Sequence, residues 1–523
     1  MIPDSVLLQI FDLCLVEDDC SSESSDAEDI PPLSGWQLAH VCQKWRYLVF
    51  ASPSRFDLEL VCTPRAPIRK KLGSWPTIPI VIDYREVASK DKGDIIAALQ
   101  YRDRVRRITL SGLTRKLWEK LDAAMRESFP SLTRLSLTGP GDQDEHAPVL
   151  PHKLMGEGTL RLRELYLRGM SYPGLPQFLL SARDLVKLDF VQIPSTSYVS
   201  PGEMLAGLSG LTRLESLAIE FQPSILLNLL TDDRLAATPT KPAVRLPALK
   251  MFRFNGFCEY LEGLVAQIDA PLVTTFKIYY FGQPVYRVPR LAQFFVRTKY
   301  LKALSYLQIR CIPWIHLWFG GADEGSLMFQ IETSGMVRGV LHSVQVMQQI
   351  SAVISNIPRL CLIGPAPAST EPPFGGSLYG STRFAKRLLP QGSLFTMGVH
   401  GVTPREEQPG VPDSIDHIDW IGLFRPFTGV EELVIRGADL SESIVHALEK
   451  VSEDMVAKVL PALRSLVFAR ERPTVSVNQF VSVRQKAGRP VTVLYPDDDD
   501  AEEEDHENDD DEDDDIEDEA DEV

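Results

Sequence analysis

The chain has 523 residues, 44% hydrophobic and 24% charged, so it is too long for a small stapled fold and too apolar to be disordered throughout. Its net charge of −18 is concentrated at one end, because residues 497–523 hold 21 acidic and no basic side chains and leave the rest with +3. The seven cysteines form no C-x-x-C pair, and no signal peptide, membrane-spanning run or N-glycosylation sequon is found, which favours a cytoplasmic or nuclear location.

Residues 1–53 predict three short helices. Apolar residues recur at helical spacing from Val6 to Cys14, and again from Val41 to Val49 before the break at Pro53. Between them, the acidic and serine-rich residues 17–32 predict an exposed loop. So short a segment cannot bury all of its aromatic side chains, and we expect part of its apolar surface to meet another protein. The alternative is a helical cap over the following domain.

Two stretches of this segment, IPDSVLLQIF at 2–11 and LAHVCQKWRYLVFASP at 38–53, resemble the opening and the V-C-x-x-W-R centre of an F-box. The resemblance implies that residues 1–53 dock to a Skp-type adaptor and, through it, to a cullin of a ubiquitin ligase. The positions that match the family, and that are therefore expected to bind the adaptor, are Pro3, Leu8, Ile10, Phe11, Val41, Cys42, Trp45 and Arg46.

Residues 54–496 carry a recurring L-x-x-L-x-L-x frame, in which alternate residues of a strand share one face. Copies begin at 105, 132, 162, 185, 214, 249, 273, 304, 430 and 463. FDLELVC at 56–62 and IPIVIDY at 78–84 predict earlier strands, whereas between 320 and 429 only LMFQIET from 327 and IPRLCLI from 357 fit. Helical patterns at 116–129 and 258–270 separate strands. These spacings predict stacked α/β repeats with a curved parallel sheet.

The repeats resemble degenerate leucine-rich repeats, and ordinary α/β packing is the alternative. Phrases such as LLSARDLVKLDFVQIP at 179–194 and EYLEGLVAQIDAPLVTTFKIYYF at 259–281 extend the resemblance to the F-box proteins abundant in mushroom-forming fungi. The whole chain is then an F-box at 1–53, an irregular leucine-rich-repeat-like domain at 54–496 and a disordered acidic tail at 497–523.

In such an array, the third, fifth and seventh residues of each frame face the open side of the sheet. Six of these residues are basic and three acidic, which favours binding of an acidic or phosphorylated protein segment. The alternative is that they only keep the sheet soluble. The candidate substrate-binding residues are Arg107, Arg134, Tyr166, Arg168, Lys187, Arg253, Lys277 and Tyr279.

No motif proposes a nucleophile, a metal site or a cofactor site, so we expect a binding protein and not an enzyme. The interpretation favoured here is the substrate-recognition subunit of a Skp–cullin–F-box ubiquitin ligase, with no cofactor and with neither nucleic acid nor membrane as a partner. Two alternatives stay open. One is an interaction scaffold that joins no ligase, and the other is a protein that captures basic partners with its acidic tail.

Overall fold

A computed structural model of the chain describes residues 3–14, 35–65 apart from 54 and 57, 78–85, 92–140, 147–156 apart from 153, 161–222, 244–281, 286–299, 304–311, 315–321, 326–331, 345–363, 419–469 and 472–495. The acidic loop and the acidic tail predicted from sequence lie outside these residues. The described residues form a mixed α/β structure with a large parallel sheet. They belong to two compact units, Met1–Ala303 with Gly325–Phe329, and Leu304–Glu324 with Gln330–Val523.

Three short helices open the first unit: α1 (Asp4–Cys14), α2 (Gly35–Val41) and α3 (Gln43–Ala51). Cys42 caps α3, because its sulfur accepts the Trp45 amide at 3.5 Å. The inner stripe of α1, Leu7 and Phe11, is buried. The Phe11 ring packs edge-on against Trp45 at 4.5 Å and against Phe56 at 5.7 Å between ring centroids, which ties the helices to the chain that enters the first strand.

The main sheet of the first unit follows chain order. Its parallel strands are β1 (Leu60–Cys62), β2 (Ile80–Tyr84), β3 (Val105–Leu110), β4 (Arg134–Thr138), β5 (Glu164–Arg168), β6 (Lys187–Ile193), β7 (Ser216–Phe221), β9 (Met251–Gly256) and β11 (Thr275–Tyr280). Two further short strands, β8 (Val244–Arg245) and β10 (Ile268–Asp269), pair with each other. Each of the frames predicted between 56 and 280 contains a strand of this sheet.

Helices cover one face of this sheet. They are α4 (Lys92–Leu99), α5 (Arg115–Met125), α6 (Leu175–Ser181), α7 (Pro201–Leu208), α8 (Cys258–Val265) and α9 (Pro289–Arg297). Neighbours along the chain pack side by side, α4 with α5, α6 with α7, α7 with α8 and α8 with α9. The sequence predicted a helix over 258–270, but α8 ends at Val265, because the chain turns there to form β10.

Two apolar rows cross the covered face, each with one residue from every strand of the main sheet between β3 and β11. One row is Ile108, Leu135, Leu165, Leu188, Leu217, Phe252 and Phe276, and the other is Leu110, Leu137, Leu167, Phe190, Ile219, Phe254 and Ile278. Each of these side chains is at most 1% exposed. Because burying such a side chain stabilises the fold by roughly 1.5–3 kcal/mol, a polar substitution in either row would destabilise the unit.

The entries to five strands of the first unit share one main-chain contact. The amides of Arg163 and Glu164, at the start of β5, both donate to the carbonyl of Thr133, which precedes β4, at 2.8 and 3.0 Å. The equivalent pair of bonds recurs at β6, β7, β9 and β11. We call this feature the shared carbonyl. Its recurrence gives neighbouring strands the same register, as expected of a structural repeat.

The second unit repeats the arrangement after a departure from it. Strands β12 (Leu304–Cys311) and β13 (Ile315–Gly321) are antiparallel, which corrects the sequence prediction of parallel strands, because the three intervening residues are too few for a crossover. The strands β15 (Arg359–Ile363), β16 (Glu432–Arg436), β17 (Ser465–Phe468) and β18 (Thr492–Leu494) then continue from β12 in parallel. The shared carbonyl returns at β16 and β17. The predicted strand from 327 is present as β14 (Ser326–Ile331), of which the residues up to Phe329 belong to the first unit.

Helices of the second unit are α10 (Ser351–Ile354), α11 (Trp420–Phe424), α12 (Ala438–Glu449), α13 (Glu453–Val456) and α14 (Asn478–Lys486). A buried arginine, Arg484, joins α14 to the turn before β17 by donating to the carbonyls of Leu460 and Leu463 at 3.1 and 2.7 Å. Burial lowers the pKa of this guanidinium to about 10, so it stays charged at neutral pH.

Candidate protein-binding surfaces

Helix α1 has an exposed apolar stripe beside its buried one. Val6, Ile10 and Leu13 are spaced at i, i+4 and i+7, so they share one side of the helix, and they are 40%, 39% and 77% exposed. We call these three residues the α1 stripe. Val41 at the end of α2 and Tyr47 in α3 are also largely exposed. These five side chains give residues 1–53 an exposed apolar surface.

Two ion pairs join α1 to α3 and to the residues that follow α3. Lys44 lies 2.9 Å from Asp4 at the start of α1, and the Arg55 Nε donates to Asp12 near its end at 2.8 Å. The hydrogen bond from Arg55 lowers the pKa of the Asp12 carboxyl. The first pair brings the start of α1, including Pro3, to the beginning of α3.

The predicted adaptor-binding residues occupy different environments. Pro3, Ile10, Val41, Cys42 and Arg46 are exposed, and Leu8 and Trp45 are half-buried. The Arg46 Nε donates to the Ala39 carbonyl at 3.0 Å, which links α3 to α2. Phe11 is fully buried, and this corrects the expectation that it contacts a partner directly, because its position one turn after Leu7 places it on the inner stripe. Phe11 can only support Trp45 from beneath.

The side of the first sheet not covered by helices forms a second candidate surface, which we call the polar face. Its residues alternate with the two apolar rows along each strand. All eight predicted substrate-binding residues lie on it: Arg107, Arg134, Tyr166, Arg168, Lys187, Arg253, Lys277 and Tyr279. Six strand spacings separate β3 from β11, or about 29 Å, so these residues span an extended surface and not one small site.

Most cations of the polar face already have partners within the chain. Arg107 pairs with Glu59, Arg134 with Glu164, and Lys187 with Asp189 at 3.3 Å. The Arg253 Nε lies 2.5 Å from Glu220. Arg168 donates to the amide oxygen of Gln192 at 2.8 Å, and Lys277 has no hydrogen-bond or ion-pair partner among the described residues. The sequence count of six cations against three carboxylates therefore overstates how many cations of the polar face are free to bind an acidic partner.

Burial changes the ionisation of three groups at the β7–β11 end of this face. Burial raises the pKa of Glu220, which Arg253 partly opposes, and burial together with the charge of Arg253 lowers the pKa of Lys277. Burial also raises the pKa of Tyr279. These three groups and Arg253 thus form one electrostatically coupled cluster.

Sequence reasoning missed several residues of both surfaces. Val6 and Tyr47 lie within the two family-like stretches but not among the predicted contact residues, and Leu13 lies just beyond the first stretch. Val6 and Leu13 could have been found from helical spacing, because they share one side of α1 with Ile10. Glu59 lies within the predicted strand at 56–62, just ahead of β1, but it was not among the candidate surface residues. Gln192 sits in a β6 irregularity with φ 51°, which no strand pattern predicts.

Within the described part of the chain, no three His, Cys, Asp or Glu side chains are grouped to hold a metal ion. No helix among the same residues has the length and hydropathy needed to span a membrane.

Neither the models of known protein families nor the curated proteins yielded a match to this chain.

Proposed function

We propose that this protein is the substrate-recognition subunit of a Skp–cullin–F-box type ubiquitin ligase, acting in the cytoplasm or nucleus without catalytic chemistry of its own. Residues 1–53 form the F-box, and the strands and helices that follow form an irregular leucine-rich-repeat-like domain. The helices bind a Skp-type adaptor, and the polar face binds a protein substrate. Ubiquitin transfer then belongs to the assembled ligase, to which this chain contributes proximity and orientation.

The observation that carries the proposal is the α1 stripe together with exposed Val41. Apolar side chains aligned on a helix and left in water favour a protein partner, since burying each one at an interface would be favourable. The repeat assignment is supported by parallel strands in chain order and by the shared carbonyl.

The test is co-purification of the full chain with a recombinant Skp-type adaptor. We expect the double variant Ile10→Asp with Val41→Asp to lose at least tenfold in affinity, because two charges would have to be desolvated at the interface. Leu180→Asp is the matched control, since Leu180 is a comparably exposed apolar residue in α6. Adaptor binding that is absent from the wild type, or equal in the double variant, would contradict the proposal.

Two other functions are separated by the same assay. A scaffold outside any ligase would retain its protein partners while never retaining the adaptor. A protein that captures basic partners through its acidic residues 497–523 would keep them in the Ile10→Asp and Val41→Asp variant and lose them without the tail.

A further inference from the structure

One point of the polar face holds positive charge that the described residues do not balance. Arg253 on β9 and Lys277 on β11 are directly paired across neighbouring strands. Adjacent strands lie about 4.8 Å apart, so the two cations face the same small volume. Among the described residues, Glu220 is the one carboxylate that forms an ion pair with either cation, and its partner is Arg253.

Within the described residues, neither the Nε–H of Arg253 nor the ammonium of Lys277 has a hydrogen-bond acceptor. The Arg253 Nε is buried and close to Glu220, but its N–H is not directed at that oxygen and has no acceptor among the described residues. Lys277 is half-buried and without a partner in the same part of the chain. Its lowered pKa reflects burial without a compensating negative charge, together with repulsion from Arg253. Buried donors are normally satisfied, so the missing acceptor requires an explanation.

The surroundings suit a small oxyanion. Asn255 and Tyr279 are paired across β9 and β11 two residues further along, and their amide and phenol groups are hydrogen-bond donors. On the other side of Arg253, its strand partner is Ala218, whose methyl group does not extend far from the sheet. The two cations are therefore bordered by polar groups on one side and by a short side chain on another.

We propose that Arg253 and Lys277 form an oxyanion-binding point that takes one phosphate or carboxylate group. The inference deepens the proposed function, on which it rests only for the claim that the bound group is carried by a substrate protein. The sequence predicts an acidic or phosphorylated substrate, and this inference locates the binding of its oxyanion at the β7–β11 end of the polar face.

The experiment titrates the full chain with inorganic phosphate at constant ionic strength, balanced with chloride, and follows the midpoint of thermal unfolding. A ligand that binds only the folded state raises this midpoint in a saturable way. A parallel titration with acetate distinguishes phosphate from carboxylate as the preferred source of the oxyanion. We expect Lys277→Gln to weaken the apparent affinity roughly tenfold or more, as loss of a charge-assisted hydrogen bond predicts.

Two further variants make the result specific. Lys250→Gln removes an equal charge from a lysine that is paired with Glu215 at 2.8 Å just before β9, and it should leave the affinity within about twofold of wild type. Glu220→Gln removes the internal competitor for Arg253 and should tighten binding, a gain that misfolding cannot imitate. No saturable effect of either anion, equal weakening in Lys250→Gln, or no gain in Glu220→Gln would overturn the inference. The co-purification assay with the adaptor requires no anion, so it tests the proposed function independently of this titration.

Discussion

Two opposing effects act on the ionisation of Glu220, a side chain of the polar face. Its carboxylate is only 18% exposed and lies against Arg253, so desolvation disfavours its charge while the guanidinium favours it. Desolvation is the larger effect, and the pKa of Glu220 is raised. The folded protein therefore prefers the protonated carboxyl more strongly than the unfolded chain does.

This preference predicts a pH dependence. A raised pKa contributes stability that is fully present below the ordinary value of 4.5 and is lost as the pH rises through the folded-state pKa. Because glutamine imitates the protonated form, Glu220→Gln should become progressively more stable than the wild type between those pH values. Thermal midpoints of both proteins across this range measure the difference. Ser216→Ala on the same strand, which adds no titrating group, should show a constant difference, and a constant difference for Glu220→Gln would contradict the prediction.

Neighbouring helices of the first unit are joined by polar contacts as well as by apolar packing. Helix α9 has no side-chain cap of its own, since it follows Val288 and begins at Pro289. Glu262 of α8 supplies one, because its two carboxylate oxygens accept the amides of Arg290 and Leu291 at 2.9 and 2.8 Å. One repeat thereby completes the helix of the next.

Removing that cap should loosen α9. We expect Glu262→Ala to destabilise this helix by about 1–3 kcal/mol, since two amides at its start lose their acceptor. Hydrogen exchange of the α9 amides and the midpoint of thermal unfolding are the measurements. The matched control is Glu259→Ala, which removes an exposed carboxylate from the same helix α8. Equal exchange in the two variants would show that the Glu262 contacts do not stabilise α9.

The strands could be predicted from sequence because a period of two survives wherever one face is buried, as in β4 and β5. The two-residue strands β8 and β10 carried too little pattern and were missed. The antiparallel β13, although seven residues long, was missed as well. The cation pairs of the polar face could not be predicted either, because Glu220 meets Arg253, and Arg134 meets Glu164, only once the strand register is known. Likewise, the burial of Phe11 depends on Trp45 and Phe56.

At the scale of the whole molecule, charge is divided between the body and the tail. The net charge of −18 depends on residues 497–523, without which the chain carries +3. A net charge near zero removes the mutual repulsion that keeps protein molecules apart in solution. We therefore expect the tail to maintain solubility.

Deleting residues 497–523 should make the protein self-associate at lower concentration in low salt, as followed by static light scattering. A second variant keeps the length of the tail but replaces each Asp by Asn and each Glu by Gln. If charge is the cause, both variants should scatter alike and well above the wild type. A neutral tail that is as soluble as the acidic one would refute this role.

The shared carbonyl also has an evolutionary consequence. At seven strand entries, the amides of two residues align the strands through the main chain, so alignment there depends little on which side chains point outward. Mutations on the uncovered side of the sheet can then accumulate without misaligning the scaffold. Duplicated copies of such a gene could diverge quickly in the molecules they capture while inheriting an unchanged framework.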